Sequence, residues 1–130
     1  MAELQRVPSP ENIMSELDRT VRELTAARSQ KEADRRERYR VACEFLREFH
    51  ESNIRTSQVL QDEGIEATHA ENKLILHKPT TGHFLEPLFI VVDEQGNIDC
   101  AGRSLGGYVP GQKQDRIKNL VTEIIDHFDL

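Results

Sequence analysis

Between Pro10 and Gly64 the chain contains neither proline nor glycine. These are the two residues that most disfavour a helix interior, proline through its missing donor and glycine through backbone entropy. The window is instead rich in Glu, Arg, Ala, Gln and Leu, all good helix formers. Ser9-Pro10-Glu11 supplies a start: a serine cap, a proline at the first helical position and an acid in the first turn. A helix is predicted over about 10–53, with room for one interruption. Residues 1–9 read as a flexible tail, 10–53 as an extended helical region, and 54–130 as an α+β globular domain.

The apolar pattern along this helix has three parts. Met14, Leu17, Val21 and Leu24 step by three, four and three, the spacing of a heptad seam. Arg28, Lys31, Arg35 and Arg38 then occupy the same frame, and Ala42, Phe45 and Phe49 resume it. The basic middle suits an exposed helix, with Glu32 four residues before Arg36 and Asp34 four before Arg38. Ala42, Phe45, Leu46 and Phe49 form one broad stripe that should pack on the core. The stripe around Leu17 is separate and needs its own partner. Either the chain folds back at the polar middle, or another subunit supplies the surface.

Downstream, Ser57 can cap a short helix ending at Gly64. The period then changes to two. Ile65, Ala67 and His69 alternate with polar neighbours, Glu71-Asn72 turns the chain, and Leu74–His77 forms a second strand. Leu88–Val92 is apolar on both faces and should be central. Asp93–Asn97 is a hairpin turn with Gly96 at positive φ, and Ile98–Ala101 returns. Gly102–Gly111, with four glycines and Pro110, reads as a loop. A last helix over about 112–128 carries Ile117, Leu120, Val121, Ile124, Ile125 and Phe128 as its packing face. The fold expected is α+β: a long N-terminal helix, an antiparallel meander of about four strands, and a C-terminal amphipathic helix packed on one sheet face.

Composition narrows the function. The length suits one domain, and no apolar run approaches the ~18 residues of a membrane span. The N-terminus lacks the apolar stretch of a signal peptide, so a cytoplasmic location is expected. A net charge of −6 makes nucleic acid a poor partner. The basic stretch Arg28–Arg40 spreads its charges around the helix and interleaves acids. Absent Trp and few Tyr or Phe argue against a large aromatic-lined pocket. Cys43 and Cys100, far apart, read as reduced, buried thiols.

Candidate chemistry is sparse. The Gly102–Gly111 loop joins a strand to a helix N-terminus, where backbone N–H groups can hold an anion. Its phosphate-loop spacing fails, because Gln112 stands where lysine should follow glycine and no Ser or Thr follows Lys113. Arg103, Gly106, Gly107 and Tyr108 remain as a ligand or partner contact. His69, His77 and His83 complete no metal-ligand spacing, so neither a metal nor a cofactor is expected. Ser57 and Ser104 lack a nucleophile elbow. Cys100 would need the fold to bring His77 or His83 beside it.

From Pro87-Leu88-Phe89-Ile90-Val91-Val92-Asp93 through Gly96, Ile98 and Gly102 to the closing helix, the chain resembles the C-terminal half of thioredoxin-like proteins. The hairpin also resembles strands of sensory PAS-like domains. There is no Cys-x-x-Cys, and a hairpin signature does not select a family, so none is assigned. The first functional expectation is a non-enzymatic protein–protein interaction or assembly module. It would be homo-oligomeric through Met14, Leu17, Val21 and Leu24, its partner a second copy or another protein. The alternative is a small-ligand sensing domain using the sheet face and the Gly102–Gly111 loop, and the third a redox-related enzyme using Cys100.

Overall fold

The computed structural model describes residues 10–79 and 85–130, with the side chains of the first helix from residue 15 onward. The tail 1–9, the Ser9 cap, the Met14 side chain and His83 lie outside the described residues. The chain divides into two compact units, Met1–Asp34 and Arg35–Leu130. Helix α1, Pro10–Phe49, contributes to both. In the first unit every residue from 15 to 31 is exposed. The core belongs to the second.

Within that second unit, Ala42, Phe45, Leu46 and Phe49 are buried, as their spacing requires. The next core position of an α-helix, four residues on, would be Asn53. A wider π-helical turn, His50–Ile54, follows instead, closed by the Arg55 N–H donating to the His50 carbonyl at 2.9 Å. The extra residue carries Ile54 into the core, 7% exposed, and leaves Asn53 half-buried. Helix α2, Gln58–Asp62, starts at Ser57, whose Oγ accepts from the Leu60 N–H at 3.1 Å. Gly64 follows it at φ +70°.

Five antiparallel strands form a meander in chain order: β1 Glu66–Ala70, β2 Lys73–His77, β3 Leu88–Val92, β4 Asn97–Cys100 and β5 Arg103–Gly107. Strand β3 is central, as its apolar run implies. Leu74, Leu76, Leu88, Ile90, Val92, Ile98 and Cys100 share the inward face and meet the buried residues of the helices. On the opposite face, among the described residues, Ile75 and Val91 are half-buried and Phe89, paired across strands with Ile75, is 48% exposed. Being central in the sheet and being covered on both faces are separate matters here.

The expected count of about four strands is corrected to five. Glycines at 102, 106 and 107 suggested a loop, yet Ala101 and Gly102 (φ +53° and +80°) make a tight two-residue hairpin. The chain then pairs back, Cys100 with Arg103 and Asp99 with Ser104. A register shift between Asn97 and Asp99 accompanies Gly106 at φ +86°, so the glycine-rich run is a bulged edge strand. A 3₁₀ turn, Pro110–Gln112, leads into α3, Lys113–Phe128.

Helix α3 carries a second correction. Leu120, Ile124 and Phe128 are buried, but Val121 and Ile125 are 37% and 41% exposed. The apolar stripe is wider than the core it meets.

Candidate functional site

The N-terminal stripe predicted as an interface projects into solvent. Leu17, Val21 and Leu24 are 63%, 52% and 55% exposed. They form one apolar stripe of large aliphatic side chains along an exposed helix. Thr20 and Arg19 bond back to Glu16 beside them, so the polar neighbours are held along the helix itself.

A second apolar surface lies within the Arg35–Leu130 unit, between the end of the π-helical turn, α2 and α3. It is a groove of about 380 Å³ lined by Ile54, Val59, Leu60, Val121, Ile124, Ile125 and Leu130, with Asn53 and Ser57 adding polar groups. Val59 is 58% and Leu130 38% exposed. The Ser57 Oγ already serves the α2 N-terminus. Sequence reading missed this groove. Its signal was the width of the α3 stripe, with Val121 and Ile125 beside the Leu120–Ile124–Phe128 line, and the five-residue step from Phe49 to Ile54.

The loop residues singled out from the sequence are engaged within the fold. The Arg103 guanidinium forms an ion pair with Glu123 of α3. Tyr108 stacks on Phe45 with ring centroids 4.3 Å apart and planes 19° from parallel. Burial raises its phenol pKa above the usual value. Arg116 Nη2 donates to the Gly107 carbonyl at 3.1 Å and lies 3.3 Å from where a Cβ at Gly106 would stand. The four residues therefore tie β5 to α1 and α3.

The histidines are dispersed differently from a metal set. His77 lies across from Glu66 in the β1–β2 ladder. His69 instead stacks on His50 of the π-helical turn, centroids 5.3 Å apart and planes at 17°. The His69 Nε2 is buried without a hydrogen-bond partner. Burial first, then the neighbouring His69 and Arg55, holds the His50 pKa below the ordinary imidazole value, against Glu51. Among the described residues, no group of three or more His, Cys, Asp or Glu is placed to hold a metal ion.

Cys100 sits fully buried on the inward sheet face. Burial pushes its thiol up to about 11, Arg103 opposing only in part. His77 alternates onto the other sheet face from Leu76, so it does not stand beside this sulfur. Cys43, half-buried on α1, is also raised by desolvation, with Tyr39 as its hydrogen-bonding neighbour. Neither thiol has the electropositive, accessible setting of a nucleophile.

Arg35 and Arg40 of the basic stretch are engaged in the same way. Arg35 Nη1 donates to the Glu94 carbonyl at 2.7 Å, beside a shallow recess that also includes Tyr39, Asn72 and Asp93. Arg40 pairs with Glu37 at 2.6 Å and Glu44 at 3.0 Å. Carboxylates and carbonyls in these places compete with any phosphate. No described helix is long and apolar enough to cross a membrane.

The molecule is thus an α+β protein with a helix-covered antiparallel meander, an exposed helical stripe and an apolar groove. No family model, curated protein or solved structure matches the chain.

Proposed function

We propose that this chain is a non-enzymatic assembly module that forms homo-oligomers through the N-terminal part of α1. The observation that carries the reading is the exposure of Leu17, Val21 and Leu24, each more than half exposed on a segment with no buried residue from 15 to 31. Helices in proteins draw most of their stability from packing an amphipathic face. Covering those three side chains by a second copy supplies that packing. The engagement of Arg103 and Tyr108 within the fold favours this reading over ligand capture by β5.

Sedimentation velocity over a concentration series tests it. The wild-type chain is expected at a multiple of 14.9 kDa. Val21→Glu and Leu24→Glu are each expected to shift it toward the monomer while leaving the near-UV spectrum and the cooperative unfolding of the Arg35–Leu130 core intact. A wild-type chain that stays monomeric at high micromolar concentration overturns the proposal.

A further inference from the structure

Among the described residues, the helical ridge Leu17–Val21–Leu24 and the groove between α2 and α3 both present apolar side chains to solvent. We propose that the groove receives the ridge of a second copy, reciprocally, in a closed two-fold dimer. The inference rests on the self-association proposed above and names its second surface.

The two surfaces are complementary in kind. The ridge presents aliphatic side chains at i, i+4 and i+7, the pattern of a helix seated in a groove. It spans two helical turns, about 10 Å. The groove offers aliphatic lining over a similar length, from Val121, Ile124 and Ile125 of α3 to Leu130 just beyond it, with Val59 and Leu60 as its other wall. Neither surface places a charged side chain at its centre.

Area decides for exchange over a single contact. From the fractional exposures, ridge and groove each present on the order of 300 Å² of apolar side chain, and burying both once falls well short of the ~1,200 Å² of a stable interface. Reciprocal docking doubles the area and reaches that range. It also closes the assembly, because both ridges and both grooves are then occupied within one pair. Ridge-to-ridge pairing is the weaker arrangement. It has only two apolar heptads, where a sustained coiled coil wants three to four, and the same frame continues as Arg28 and Lys31. It would also leave the groove in water.

Opposite-charge variants at exposed positions test this with the full-length chain. Val21→Glu alters the ridge; Ile125→Lys and Val59→Lys each alter a different wall of the groove. Sedimentation of each variant alone is expected to show monomer, with apparent Kd raised at least about a hundredfold by the cost of burying an unpaired charge. Mixing Val21→Glu with Ile125→Lys is expected to restore a 1:1 dimer. One native ridge then meets one native groove, and the altered pair brings Glu against Lys. Thermal unfolding of each variant checks the fold, and Val59→Lys stands in if Ile125→Lys is unstable. Groove variants that remain dimeric while Val21→Glu is monomeric overturn the groove assignment and leave self-association standing. Failure of the mixed variants to recover a dimer also overturns it. A monomeric wild type removes both proposals.

Discussion

Gly96, in the β3–β4 turn, packs close against the α1 backbone. Its φ is +81°, and a Cβ there would stand 2.9 Å from the Arg38 carbonyl carbon. Gly64 has a similar φ, +70°, with open space around it. The pair separates backbone strain from close approach. Gly64→Ala is expected to cost about 1–2 kcal/mol, the left-handed penalty alone. Gly96→Ala adds overpacking against main chain, about a further 1–3 kcal/mol. Urea unfolding of the two variants checks this, and equal losses would show that the α1 backbone yields. The turn at Gly96 was legible in the sequence, because Asp93 and a following glycine are local signals. Asp93 Oδ1 does accept from the Gln95 and Asn97 N–H groups, both at 2.9 Å. The contact with Arg38 was not legible, since it joins residues far apart in the chain.

His50 makes a second argument at this scale. Its lowered pKa means that the folded state resists the proton, through burial, the stacked His69 and Arg55. An unfolded histidine takes the proton near pH 6.5. This contribution to stability is therefore complete above about pH 6.5 and is lost as pH falls through the lower folded value. The urea midpoint of the wild type is expected to drop between pH 7.5 and 5.5, and His50→Gln to lessen that drop. An identical pH profile in the variant would remove His50 as a cause.

Among the elements, the π-helical turn shows how a local irregularity follows from the apolar pattern. The core face of α1 advances by four from Phe45 to Phe49 and by five to Ile54. A regular helix would bury Asn53 in place of Ile54, so the turn widens. Ile54→Ala is accordingly expected to cost about 2–4 kcal/mol. Asn53→Ala is expected to stay within about 0.5 kcal/mol, as for a substitution away from the core. A larger loss at Asn53 in equilibrium unfolding would mean that the segment keeps α-helical register in solution. The helix, its core stripe, the Ser57 cap and the central strand were all readable, because each rests on periodicity or short-range capping. Strand β5 was not. Three glycines look like a flexible loop until the hairpin at Ala101–Gly102 sets the register that pairs Arg103, Ser104 and Gly107 with β4. The groove escaped for a related reason. Val121 and Ile125 keep helical period with Leu120 and Ile124, and period alone does not say how wide a stripe the core will cover.

At the scale of the whole molecule, the chain places its stability unevenly. The core lies in the Arg35–Leu130 unit, whereas residues 15–31 bury nothing. On the self-association proposed above, the persistence of this part of α1 depends on what covers Leu17, Val21 and Leu24, because helices draw most of their stability from packing an apolar face. If a second copy covers them as proposed, mass action links that stability to protein concentration. Hydrogen exchange is expected to report two regimes. Amides in 41–49 should be protected at every concentration, because they open only with the core. Amides in 15–31 should exchange fast in dilute solution and slow as concentration rises, and Val21→Glu should abolish that dependence. Protection of 15–31 that is strong and independent of concentration would mean that this half of α1 is stable without a second copy. The exposed stripe would then no longer argue for assembly. Fast exchange there at all concentrations would break the link from the other side, because a second copy that orders the helix must also protect it.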